Sequence, residues 1–112
     1  MAKYETSLTG SFDQLLREID SGIVQGSLSA HFENGSDYQN GNIRCAVRVY
    51  ERYSWVGSNR VSLNVTLVGD GDNLFVSAIT SGGSQAMFFK INRLGENSFL
   101  DRLIAIVEKF KR

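Results

Sequence analysis

A chain of 112 residues is the usual size for one domain, and its twelve basic side chains balance twelve acidic ones. That neutrality excludes the whole-molecule field of a dedicated nucleic-acid binder, while 42% hydrophobic and 21% charged content argues against disorder. No apolar run approaches the roughly 18 residues of a membrane span, and Met1 to Ser7 lack the apolar core of a secretion signal. With one cysteine, Cys45, no intrachain disulfide can form, so a reducing cytoplasm is the expected setting.

In chain order, Tyr4, Thr6 and Leu8 alternate with Lys3, Glu5 and Ser7, which predicts a short strand broken at Gly10. Ser11 is a good N-cap with Gln14 three residues on, and Phe12, Leu15, Leu16 and Ile19 form one apolar helical face. Gly22 is the expected stop.

Strands follow. Leu28, Ala30 and Phe32 alternate with polar neighbours, and the stretch 34–42 holds two Asn-Gly pairs, Asn34-Gly35 and Asn40-Gly41, both suited to tight turns. Ile43, Cys45, Val47 and Val49 alternate with Arg44, Ala46, Arg48 and Tyr50. Val61, Leu63, Val65 and Leu67 alternate with Arg60, Ser62, Asn64 and Thr66, and the run Gly69 to Asn73 reads as a hairpin turn. Leu74 to Thr80 is apolar on both phases, as in a strand covered on both faces, and Met87 to Ile91 is a candidate sixth strand. After Gly95, Phe99, Leu100, Leu103, Ile104, Val107 and Phe110 form a broad helical stripe with basic residues at its end.

The order β-α-β-β-β-β-(β)-α predicts one α+β domain over residues 1–112, a two-layer fold with two helices on one face of a mainly antiparallel sheet of five or six strands. TATA-box-binding-protein-like and helix-grip arrangements are built this way, an analogy of architecture that carries no function. The covered face is expected to hold Cys45, Val47, Val49, Val61, Leu63 and Val65, leaving the Arg44 row on the open face.

Cys45 falls on the apolar phase and the sole histidine, His31, on a polar one, so the two are expected on opposite sides of the sheet, where no thiolate–base pair forms. His31 alone makes a poor metal site. Gly69 to Asn73 lacks the spacing of a calcium loop. With no paired carboxylates, nucleophile motif or phosphate loop, neither a catalytic residue nor a cofactor or metal is expected.

The most suggestive surface is the row Arg44, Arg48, Tyr50 and Arg52, with Arg60 on the next strand and Trp55 in the intervening loop. Against nucleic acid, zero net charge and a single aromatic in the row favour a solvated face whose arginines pair with Glu33, Glu51 or Asp37. Arginine, tyrosine and tryptophan are enriched at interfaces, so a homo-oligomer or protein partner is the expected occupant of this surface, with no membrane. The alternative is a small apolar ligand held between the C-terminal helix and the sheet, motivated by Phe75, Met87, Phe88, Phe89, Phe99 and Phe110.

The stretches Cys45 to Tyr53, Asn59 to Asn64 and Ala78 to Lys90 resemble a family of small uncharacterised bacterial proteins, mostly of Firmicutes, labelled only as a domain of unknown function. The resemblance implies a bacterial cytoplasmic protein and gives no residue a role.

Overall fold

The computed structural model describes residues 1–25, 30–54, 59–82 and 96–111. Among these residues, five strands and two helices run in the order β1 (Lys3–Thr9), α1 (Phe12–Gln25), β2 (His31–Asn40), β3 (Ile43–Ser54), β4 (Asn59–Asp70), β5 (Asn73–Gly82) and α2 (Glu96–Lys111). The expected α+β architecture is present, while the candidate strand at Met87 to Ile91 and the Trp55 loop lie outside the described residues.

All strand pairs are antiparallel, in the spatial order β1-β5-β4-β3-β2. Successive hairpins lay β2 to β5 side by side, and the N-terminal strand closes the far edge, where Thr80 N–H donates to the Ala2 carbonyl at 2.9 Å. Gly41 and Gly71 take the hairpin turns with φ of 61° and 60°, a region that side-chain-bearing residues rarely adopt. Of the two Asn-Gly pairs, only Asn40-Gly41 turns the chain. Asn34-Gly35 lies within β2, where the register shifts between Phe32 and Asn34, because a bulge absorbs the extra residue.

Helix α1 begins as expected, with Gln14 N–H donating to Ser11 Oγ at 3.2 Å. It does not stop at Gly22. A Cβ there would lie 2.5 Å from Ile106 Cδ1, so the glycine serves the close approach of α1 and α2. Arg102 Nε donates to the Gly22 carbonyl at 2.9 Å, satisfying one of the carbonyls that the last helical turn leaves unpaired.

The two helices pack side by side over one face of the sheet. Leu15, Ile19 and Ile23 from α1 and Phe99, Leu103 and Val107 from α2 are fully buried in one cluster with Leu63, Leu67, Val76 and Ala78. The expected stripe of the last helix is therefore the core of the molecule. β5 departs from expectation. Leu74, Val76, Ala78 and Thr80 are buried, whereas Phe75 and Ile79 on the other phase remain 38% and 39% exposed. Among the described residues, helices cover the sheet on one side only.

Candidate functional site

Antiparallel partners point to the same face of a sheet, so the register decides which side chains meet. Arg48 lies opposite Val65, Tyr50 opposite Leu63 and Arg52 opposite Val61. The row Arg44, Ala46, Arg48, Tyr50 and Arg52 is therefore on the helix side, with the core valines and leucines. This corrects the expected assignment, because Cys45, Val47 and Val49 occupy the open face instead. The pairs Ser54↔Asn59 and Ile43↔Asp70 join an even-numbered position to an odd-numbered one, so the inward phase changes parity between β3 and β4.

Arginines are tolerated there because α1 supplies carboxylates along the margin of the helical layer. Arg44 Nη1 donates to Asp13 Oδ1 at 2.8 Å, and its guanidinium lies 4.2 Å from the Phe12 ring centroid. Arg48, with its side chain only 14% exposed, donates to Asp37 at 3.0 Å and lies 3.8 Å from Asp20. Tyr50 donates its hydroxyl to the same Asp20. Burial first, then that hydrogen bond and the nearby negative charge, pushes the phenol pKa far above its usual value and keeps it protonated. Arg52 stands over the Phe99 ring at 5.3 Å, and burial pulls its pKa down. Arg44 and Arg48 thus bring their head groups to the margin, where Asp13 and Asp20 are partly exposed.

Arg48 and Tyr50 floor a groove of about 360 Å³ beside β2, walled by Val24 and Phe32. Phe32 meets the Tyr50 ring edge-on, with centroids 6.1 Å apart. The polar groups of this floor bond one another, so a ligand would have to displace existing partners. Between α2 and the sheet, the space is taken by the fully buried Phe99, Leu103 and Val107. A second opening, about 600 Å³, lies between α1 and α2 and is lined by Gly10, Gln14, Glu18 and Phe110.

Among the described residues, no element covers the other side of the sheet, the open face. Arg60 lies here, apart from the arginine row, opposite Tyr53 and ion-paired with Glu51 at 3.0 Å. Between that pair and Asp70 at the far end of β4, the open-face positions of the three central strands carry no charge. They are Cys45, Val47 and Val49 on β3, Asn64, Thr66 and Val68 on β4, and Phe75, Ser77 and Ile79 on β5. Ile43, Tyr38 and Tyr53, on the same side, are 41%, 61% and 51% exposed. Sequence reasoning missed this surface because it assigned the apolar phase of β3 to the core. The detectable signal was the spacing of Asp13 and Asp20. Seven helical residues span about 10.5 Å, close to the ~13 Å between Arg44 and Arg48, so the helix offers acids where the strand offers bases.

His31 pairs with Glu51 in the ladder, which puts it in the open-face phase with Cys45 and not opposite to it. Six strand positions, roughly 20 Å, still separate the two, too far for a thiolate–base pair. His31, Glu33 and Glu51 bring their ligand atoms within 4.8 Å of one another, with His31 Nε2 and Glu33 Oε2 at 2.5 Å. Arg60 already supplies a positive charge to Glu51, and exposed groups of this kind commonly cluster without an ion. No helix among the described residues is long and apolar enough to cross a membrane.

A family model described as "Family of unknown function (DUF6054)" matches residues 1–111. The chain belongs to that family. No curated protein and no solved structure matches the chain.

Proposed function

We propose that this chain is a non-catalytic interaction domain that docks a partner through the open face of its sheet. The observation that carries the reading is the charge-free centre of that face, from Cys45 and Val49 on β3 to Phe75 and Ile79 on β5. Interfaces deplete charge at their centre and keep it at a polar rim, and here Lys3, Glu5, Glu51, Arg60 and Asp70 stand at the periphery. A free thiol on the exposed side, Cys45, fits a reducing bacterial cytoplasm, the setting included in this reading. The arginine row acts within the domain, tying α1 to β3, and Arg60 belongs to the rim of the docking face.

The test is site-specific photo-crosslinking in the producing cell. A benzophenone side chain at Asn64, on the open face, is expected to form a protein adduct, while the same group at Arg17, exposed on α1, forms none. Adducts at Arg17 alone, or at neither position, would overturn the reading.

A further inference from the structure

We infer that the partner on the open face is a second copy of this chain, packed sheet against sheet about a twofold axis. The inference rests on the docking reading above and commits it to one occupant.

Three properties of the face favour a copy of itself. The first is area. Five strands about 4.8 Å apart and roughly ten residues long at ~3.3 Å each give a face of roughly 800 Å², and about 800 Å² per partner is what a stable interface of standard size buries. The second is charge. A twofold contact places like residues near one another, so a charged centre would repel its own copy. Val47, Val49, Thr66, Val68, Phe75 and Ile79 bring no charge there, and the chain as a whole has a formal net charge of zero. The third is shape. Two sheets of the same twist stack about 10 Å apart with strands roughly 30° off parallel, side chains of the two inner faces interdigitating. A partly apolar face of alternating large and small side chains, Val68 beside Phe75 and Thr66 beside Ser77, suits that packing.

A second copy also balances the fold. The helices bury one side of each sheet, and a sandwich buries the other, giving a helix–sheet–sheet–helix assembly in which both faces of β3, β4 and β5 are covered. The rim carries both signs, Lys3 and Glu5 at the β1 edge and Arg60 with Glu51 at the β3–β4 end, so opposite charges are available around the uncharged centre.

Sedimentation equilibrium of the purified full chain tests the inference, with alkylation of Cys45 as a second reading that needs no variant. The expected result is a dimer in which Cys45 reacts more slowly as concentration rises. Thr66→Lys and Val49→Lys should each weaken association at least about tenfold while the far-ultraviolet circular dichroism is kept, since each puts a charge into the uncharged centre. Arg17→Glu, on α1, should leave association unchanged. A dimer indifferent to both lysines, with Cys45 equally reactive at every concentration, overturns the inference. So does a monomer at all concentrations. If that monomer still gives an adduct of a different protein from Asn64, the docking reading stands and only the partner is wrong. A monomer with no adduct overturns both.

Discussion

Tyr50, on the third strand, donates its hydroxyl to the carboxylate of Asp20, on the first helix. The ring of Tyr50 is fully buried while Asp20 lies at the margin of the helical layer, so one side chain spans from core to rim. Arg48 reaches the same carboxylate at 3.8 Å, and Asp37 from the edge strand at 3.0 Å. The strand residue thus joins α1 and β2 through one small polar network.

Removing the hydroxyl should loosen that network without opening a cavity. Tyr50→Phe is expected to destabilise the fold by about 1–2 kcal/mol, the usual value for a hydrogen bond to a charged group that stays partly solvated. Tyr50→Ala should destabilise it by about 3–5 kcal/mol, because the ring is lost from the core as well. Urea denaturation of the two variants checks the difference, and a Tyr50→Phe protein as stable as the wild type would show that the hydroxyl contributes nothing.

A second tyrosine makes stability sensitive to alkaline pH. Tyr4 donates to Glu108 at 2.6 Å, and burial, helped by that bond and the carboxylate's charge, pushes its pKa up to about 12. The folded pKa lies above the unfolded one, so the stabilisation is complete below about pH 10 and is lost as pH rises towards 12. The urea midpoint should therefore fall through that window in the wild type and fall less in Tyr4→Phe. Parallel declines in the two proteins would assign the loss to other groups.

At Gly22 two effects of opposite sign compete. Alanine in mid-helix gains up to about 1 kcal/mol over glycine, but its Cβ would lie 2.5 Å from Ile106 Cδ1. The clash involves the end of a movable side chain, so Gly22→Ala alone should be close to neutral. In an Ile106→Ala background the same change should stabilise by about 0.5–1 kcal/mol, as the clash is gone and the propensity gain remains. A thermal-denaturation cycle over the four proteins measures the coupling, and strict additivity would mean the helices separate freely.

Most elements were legible in the chain because their signals are local. The Ser11 cap, the Phe99 to Val107 stripe, the Asn40-Gly41 turn and the alternation of Val61 to Leu67 each depend on residues a few positions apart, and each is found where expected. Gly22 and Asn34-Gly35 misled for one common reason. Glycine marks a turn, a bulge or a close approach equally well, and only the neighbouring element decides which.

The elements, their order and their amphipathic phases follow from the residues alone. Which phase of β3 faces the helices depends instead on how the strands pair across the whole sheet. Hydrophobicity alone favours Cys45, Val47 and Val49 for the interior, yet the ladder puts Arg44, Arg48 and Tyr50 there. A shift of one residue in pairing exchanges the two faces of a strand, and the register belongs to the whole sheet. The inward arginines are acceptable because Asp13, Asp20 and Asp37 meet them from other elements. The apolar phase left outside is the surface on which the proposed function rests.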